Sequence, residues 1–424
     1  MYLTVRDLGL EYGGVKVFSN VSFSLDRGEV LLLTGRNGSG KTSLLKILSG
    51  IIPWVIDGRV SGEISLGGVN PLEDPGRLVF LSRYMPPNSE HYILAPTPFD
   101  DIGFSLSLIG RNSVGEDIER IAGILGMKDF LYSPVTELSS GQAQKTLIAG
   151  TIAVNVGCLL LDEPLSHLDR AERERLIKVL GILKQQGSCM VVSTHYPEYF
   201  TSLADSTYNL GGEEYQNREC RINRGREPGK RGVLLRAEKL GYTYPLGREV
   251  IREADLTVYE GEVVVLYGRN ASGKSTLLRL LAGVLKPTRG SLEVKGKAVI
   301  LPPDPVKVFT QPTLGKELKS AKTDPRNWFD RELAGLLDRP ITRLSNGELK
   351  KAAFTLLASQ KPSILLLDEP EAGLDPGSRC QLASLMARLS EEGVGIVLAT
   401  HDEEFGRLVG DKFYTIEEGV VSEV

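Results

Sequence analysis

Short runs of consecutive apolar residues recur along the chain, each ended by a glycine-rich or polar segment. Val30-Leu31-Leu32-Leu33-Thr34 reads as a short buried strand, and Ser43-Leu44-Leu45-Lys46-Ile47-Leu48 opens a helix after an intervening glycine loop. Val263-Val264-Val265-Leu266-Tyr267 and Thr276-Leu277-Leu278-Arg279-Leu280-Leu281 repeat that arrangement. Continuous apolar runs such as Cys158 to Leu161 and Ser188 to Val192 suit strands covered on both faces, as in a parallel sheet. Ahead of each glycine loop the pattern changes to alternation, in Val21-Ser22-Phe23-Ser24-Leu25 and Leu256-Thr257-Val258, which predicts an antiparallel layer beside the parallel sheet. Met1 to Arg6 reads as a strand and not as a secretion signal. Each half is therefore expected to run strand, glycine loop, helix, a helical middle, then strand, loop, helix, strand.

The halves are copies. Ser139 to Ser345, Asp162 to Asp368 and His195 to His401 are each 206 residues apart, whereas Lys41 to Lys274 is 233, so the first copy carries 27 more residues between its lysine and Ser139. A 424-residue chain with this repeat predicts two domains, 1–222 and 233–424. They are joined by a Gly-, Pro- and Arg-rich linker at 223–232, which spans at most about 33 Å when extended. A net charge of −4 argues against a large nucleic-acid footprint. The four cysteines, Cys158, Cys189, Cys220 and Cys380, are scattered without a CxxC pair and are expected to be reduced thiols. Apolar runs fall short of the ~20 residues of a membrane span.

Chemistry enters with two GxxxxGK[ST] loops, each placed after an apolar strand and before a helix. Gly35, Asn37, Gly38, Ser39, Gly40, Lys41, Thr42 and Ser43 form the first. Gly268, Asn270, Ala271, Ser272, Gly273, Lys274, Ser275 and Thr276 form the second. Glycines at both ends let backbone N–H groups wrap phosphate oxygens, and the helix N-terminus adds favourable dipole charge. The loops predict ATP binding, with Lys41 and Lys274 reaching the β- and γ-phosphates and Thr42 and Ser275 ligating Mg²⁺. Leu159-Leu160-Leu161-Asp162-Glu163 and Leu365-Leu366-Leu367-Asp368-Glu369 are buried strands ending in acids. Asp162 and Asp368 are expected at Mg²⁺, and Glu163 and Glu369 are placed to polarise the attacking water. His195 and His401, each in Thr-His and 33 residues after the aspartate, are expected to contact the γ-phosphate.

Leu138-Ser139-Ser140-Gly141-Gln142 and Leu344-Ser345-Asn346-Gly347-Glu348 lie between glycine loop and acidic strand. They resemble the signature of ATP-binding cassette (ABC) ATPases. The resemblance implies an α/β fold of two P-loop ABC-type domains, each with a parallel-sheet core, an antiparallel β layer and a helical subdomain. It implies an intramolecular pseudo-dimer with two ATP sites formed head to tail. Ser139, Gly141 and Gln142 would complete the site at Lys274, and Ser345, Gly347 and Glu348 the site at Lys41. Tyr12 and Tyr244 sit where the family stacks an aromatic on adenine, and Asp169 and Asp375 match its D-loop aspartate. The chain departs from the family at the Q-loop. No glutamine follows Val79-Phe80-Leu81-Ser82-Arg83 or Val299-Ile300-Leu301-Pro302-Pro303, the segments read as the strands leading to the helical middle.

Within that family, Ile93-Leu94-Ala95-Pro96-Thr97-Pro98-Phe99-Asp100-Asp101-Ile102-Gly103-Phe104 is similar to a stretch of energy-coupling-factor (ECF) transporter ATPases, and Val308 to Leu318 echoes it. This implies the motor subunit of a transporter, cytoplasmic and peripheral on the inner face of the cell membrane. Its partners would be a membrane-embedded scaffold and substrate-binding subunits, with no direct nucleic-acid binding. Asp100-Asp101, where the second copy has Lys316-Glu317, is expected to receive a basic residue of a coupling helix, and the 27 extra residues to enlarge that docking region. The alternative is a soluble twin-cassette ATPase acting on ribosomes or nucleic acid. The ten-residue linker and the absence of a cysteine cluster or coiled-coil insertion weigh against it.

Overall fold

The structure, a computed structural model, describes residues 1–36, 38–87, 92–110, 115–166, 168–211, 220, 232–245, 247, 249–270, 272–321 and 335–424. Linker residues 223–231 lie outside the described residues. The chain divides into two compact units, Met1–Gln216 and Asn217–Val424.

In the first unit, β1 (Leu3–Tyr12), β2 (Val15–Leu25) and β4 (Arg59–Leu66) form an antiparallel sheet in the order β2-β1-β4. The parallel sheet runs β5-β6-β7-β3-β8, from β3 (Val30–Thr34), β5 (Ser82–Met85), β6 (Cys158–Asp162), β7 (Cys189–Ser193) and β8 (Ser206–Asn209). The helix α1 (Lys41–Leu48) follows β3. α2 (Pro98–Ser107), α3 (Gly115–Leu125) and α4 (Ser140–Ala153) make the helical middle, and α5 (Arg170–Gln185) links β6 to β7. Successive strand residues point to opposite faces. Leu31 and Leu33 accordingly join a core with the antiparallel layer and α1, while Val30 and Leu32 join a second core with Ile148 of α4 and Leu180 of α5. That two-sided burial is why these strands read as continuous apolar runs.

The second unit repeats the plan in one nine-stranded sheet, β12-β9-β10-β17-β16-β11-β15-β14-β13. Its strands are β9 (Val233–Thr243), β10 (Glu249–Tyr259), β11 (Val263–Tyr267), β12 (Arg289–Val294), β13 (Ala298–Leu301), β14 (Ile364–Asp368), β15 (Gly395–Thr400), β16 (Lys412–Glu417) and β17 (Val420–Glu423). Among the described residues its helices are α6 (Lys274–Leu281), α7 (Leu314–Ser320), α8 (Asn346–Ser359), α9 (Pro376–Glu391) and α10 (Glu403–Val409). The layers are continuous here because β17 pairs parallel with β10 and antiparallel with β16.

Three expectations are corrected. Pro75–Phe80 is a 3-10 turn, and the strand is Ser82–Met85, not Val79 to Arg83, followed by Pro86-Pro87. Proline at the start of that segment favours a turn over a ladder that needs its N–H. Met85 pairs with Leu161 and Leu301 with Leu367, so β5 and β13 are equivalent, 216 residues apart. The 27 extra residues of the first copy therefore split, 17 before β5 and 10 between β5 and Ser139. Finally, Cys220 and Cys380 are not thiols but a disulfide with Cα atoms 5.5 Å apart, whereas Cys158 and Cys189 are free and buried. A bridge across 160 residues leaves no local spacing signal.

Candidate active sites

Each glycine loop enters its helix through a left-handed glycine, Gly40 at φ 98° and Gly273 at φ 111°. At Gly35, φ 141°, a Cβ would lie 2.3 Å from the Leu210 carbonyl oxygen, so only glycine lets the loop close. Lys41 Nζ donates to the carbonyls of Gly35 (2.7 Å) and Arg36 (3.1 Å), and Lys274 Nζ to those of Gly268 (2.6 Å) and Arg269 (3.0 Å). Both ammonium groups thus lie across their loops. The Ser39 and Ser272 hydroxyls are buried inside the loops with no hydrogen-bond partner among the described residues. Asn37 and Ala271 lie outside the described residues. Tyr12 donates to Ser43 Oγ at 3.3 Å, and Tyr244 lies 3.3 Å from Thr276 Oγ1, so each ring flanks the first helical turn after its loop.

The acidic strand ends meet the loops inside each unit. Asp162 Oδ1 accepts from Ser193 Oγ at 2.5 Å and Oδ2 from the Tyr84 hydroxyl at 3.2 Å. Burial pushes this carboxyl up, opposed by hydrogen bonds from Ser193 and Thr42 and by the Lys41 charge. Asp368 is pushed up to about 7 by burial and by neighbouring Glu369, with a hydrogen bond from Ser275 opposing. The next residue leaves the strand with a positive φ, 52° at Glu163 and 47° at Glu369. Such backbone strain is held by surrounding structure and clusters at functional sites. Here each glutamate N–H donates 3.0 Å back to the neighbouring strand, to the Ser193 or Ala399 carbonyl. His195 Nε2 lies 3.3 Å from Glu163 Oε1, and His401 Nδ1 3.2 Å from Glu369 Oε1. Lys274 Nζ is 4.0 Å from Glu369 Oε1.

The signature serines build helix starts. Ser139 accepts from the Gln142 N–H at 3.3 Å while its own N–H donates to Gln142 Oε1 at 2.9 Å. Ser345 and Glu348 repeat this capping box at 3.3 and 2.7 Å. Gly141 and Gly347 lie in the first turns of α4 and α8. Asp169 caps α5 in a capping box with Glu172, and Asp375 caps α9 by accepting the Ser378 N–H.

Sequence reading missed several residues here. The Tyr84 and Ser193 hydroxyls on Asp162 went unseen, although Ser193 is the register partner of Asp162 and so was findable once the strands were paired. Lys350, a buried ammonium in α8, donates to the carbonyls of Glu369 (3.0 Å) and Ala372 (2.5 Å). Glu371, also buried, accepts from the Thr400 hydroxyl. The first unit has Gln144 and Leu165 at the matching places, with Gln144 Nε2 only 3.4 Å from the Pro164 carbonyl.

A glycine cradle, a lysine across it and buried hydroxyls inside it fit a polyphosphate. One carboxylate and one hydroxyl are hard oxygen donors, a set that suits Mg²⁺ shared with substrate phosphates. Among the described residues no group of three or more His, Cys, Asp or Glu gathers to hold a metal without such help.

The ABC transporter family model matches residues 18–166 and 251–372, more than half the chain. The chain belongs to the ABC transporter ATPase family. It is an ATPase that uses ATP with Mg²⁺. A Bacillus cereus protein described as an ABC transporter ATP-binding protein is 25% identical over 95% of this chain and 86% of its own length. One from Treponema denticola with the same description is 24% identical over 99% and 96%. Among solved structures, a model of ribosome-bound archaeal Pelota and ABCE1 covers 98% of this chain and 78% of its own, with TM-score 0.73 and 21% identity. A structure named RNase-L Inhibitor covers 97% and 89%, with TM-score 0.63 and 22% identity. These two likenesses establish the fold. Among the described residues, no helix of this ABC ATPase is long and apolar enough to cross a membrane.

The helical middle of the first ABC unit differs from the second in its surface. On α2, Ile102 and Leu106 face the core, while Phe104 and Leu108 are 44% and 47% exposed. Leu94 is 75% exposed and is anchored to α2 because its N–H donates to Asp101 at 2.8 Å. The residues matching Leu94 and Phe104 in the second unit are Thr310 and Ser320. Of the acidic pair expected to receive a partner's cation, Asp100 is exposed but Asp101 is not available. Asp101 is buried, and its carboxylate accepts the Leu94 and Ala95 N–H groups. Glu317 does the same for Thr310 and Gln311, so this position is alike in both units.

Proposed function

We propose that this chain is the ATP-hydrolysing motor subunit of an ECF-like membrane transporter, with cassettes at 1–222 and 233–424 joined by a linker at 223–232. It would work on the inner face of the membrane, bound to a membrane-embedded scaffold and its substrate-binding subunit. In each cassette the loop backbone and Lys41 or Lys274 bind the phosphates and orient the γ-phosphate for in-line attack. Thr42 with Asp162, and Ser275 with Asp368, hold Mg²⁺, which when bound offsets the charge on the β- and γ-phosphate oxygens. Glu163 and Glu369 take the proton of the attacking water at a carboxylate oxygen. His195 and His401, beside those carboxylates, orient them and meet the γ-phosphate.

The observation that carries the transport reading is the exposed apolar row Leu94, Phe104 and Leu108 on the helical middle of the first cassette. An apolar patch on a soluble face marks a contact for another protein, and a short apolar cytoplasmic helix of a scaffold fits it. The whole-chain relatives described as ABC transporter ATP-binding proteins support the same reading. A second reading, an ATPase working on ribosomes, is favoured by the fold likeness to a ribosome-bound ABCE1 model. A photo-crosslinking residue at Leu94 in cells separates them. Linkage to a polytopic membrane protein, lost in Phe104→Asp, is expected. Linkage to ribosomal proteins, or co-sedimentation of the chain with ribosomes, would overturn the transport reading.

A further inference from the structure

The two ATP sites share every motif, yet the carboxylates proposed to hold Mg²⁺ are supported differently. Asp162 and Asp368 occupy the same place at the end of equivalent strands, β6 and β14. Thr42 and Ser275 supply the same hydroxyl to each. Asp162 then receives two further donors, one for each oxygen, from Ser193 on β7 and Tyr84 on β5. Strand register identifies the matching positions in the second cassette. Ser193 pairs with Asp162 as Ala399 pairs with Asp368, and Tyr84 pairs with Leu160 as Ile300 pairs with Leu366. Neither Ala399 nor Ile300 carries a donor, so both supporting hydroxyls are missing from one site. Hydrogen bonds to a metal-ligating carboxylate fix its orientation, and their loss costs 10–100-fold in metal affinity.

We infer that Tyr84 and Ser193 are positioning residues that hold Asp162 for the metal, making the first cassette the tighter Mg²⁺-nucleotide site and the second the weaker one. The inference rests on the reading of Asp162 and Asp368 as metal ligands. The two hydroxyls act together, because they grip opposite oxygens and leave the carboxylate no rotation about its Cβ–Cγ bond. The cell's Mg²⁺ would then fill the first site at all times, while occupancy of the second would follow the nucleotide and metal supply.

Mn²⁺ binding to the full chain, followed by electron paramagnetic resonance in the presence of a non-hydrolysable ATP analogue, tests this without reference to activity. Two classes of bound Mn²⁺ are expected, and Lys41→Ala should remove the tighter one. Tyr84→Phe with Ser193→Ala deletes only two oxygen atoms from packed side chains. It should weaken the tighter class about tenfold toward the other. Ala399→Ser should shift the weaker class in the opposite direction. If Tyr84→Phe with Ser193→Ala leaves both classes unchanged while Asp162→Asn removes one, the positioning role is wrong and the ligand reading stands. If Asp162→Asn also changes nothing, the ligand reading itself fails.

Discussion

Lys350 offers a test in which the sign of a stability change depends on pH. Its ammonium is buried in α8 and is held down to about 8 by burial, against the opposing pull of Glu371, Glu369 and Asp368. Compared with the ordinary value of 10.5, that is a penalty for the charged folded form of about 3 kcal/mol, at 1.36 kcal/mol per unit. The folded pKa lies below the unfolded one, so the unfolded chain holds more protons between pH 8 and 10.5 and stability rises with pH across that window. The penalty is fully present at pH 7 and falls to about 1 kcal/mol at pH 9.5. Lys350→Gln, the residue type of Gln144 in the first cassette, removes the charge but leaves the Ala372 carbonyl without its donor, whereas the Glu369 carbonyl still accepts the Ala372 N–H at 3.3 Å. That loss costs about 1–3 kcal/mol at either pH. The variant should therefore stabilise the second cassette by about 1 kcal/mol at pH 7 and destabilise it by about the same at pH 9.5. Denaturant-dependent pulse hydrogen exchange on peptides covering α8 and β14 reads that cassette directly. Equal shifts of one sign at both pH values would refute the burial argument.

Glu163→Gln with Glu369→Gln should leave nucleotide binding intact and slow phosphate release at least ~10²-fold, the scale of losing a positioned base; release at the wild-type rate would exclude both glutamates from that role. Lys41→Ala or Lys274→Ala should each remove one of two MgATP sites counted by calorimetry, because the cation facing the phosphates is gone, and two unchanged sites in the double variant would refute the loop assignment.

Motifs with local spacing were legible in the sequence. The loops, acidic strands and signature helices fall where their apolar runs and glycines place them, because each is set by neighbours within about ten residues. What escaped depended on partners distant in the chain. Val79 and Phe80 look like strand residues, but Pro75 starts a turn there and only pairing with β6 shows the strand to be Ser82–Met85. Lys350 has the composition of a solvent-facing helix residue, and only the fold reveals the carbonyls that hold it inside. Asp101 reads as a helix-start acid open to a partner, yet its carboxylate is spent on the backbone of the segment before its own helix.

The asymmetry of the cassettes is also relocated by the structure. The extra length does not all go to the region expected to dock a partner, because 17 of the 27 added residues precede β5, in the segment that carries the exposed Trp54 and Val55. Only 10 fall between β5 and the signature. The helical middles therefore differ less in size than in surface chemistry. Leu94 and Phe104 correspond to Thr310 and Ser320, while the helix caps Thr97 and Thr313 and the buried acids Asp101 and Glu317 are shared. A frame kept by the same caps and the same buried carboxylate, with apolar side chains at Leu94 and Phe104 where the second copy has Thr310 and Ser320, separates what the helical middle needs to fold from what it presents at these two places. On the proposed reading, a scaffold helix would gain its apolar burial from the first cassette. Two leucine-sized side chains at about 1.5–3 kcal/mol each are enough to decide which cassette holds the partner more firmly.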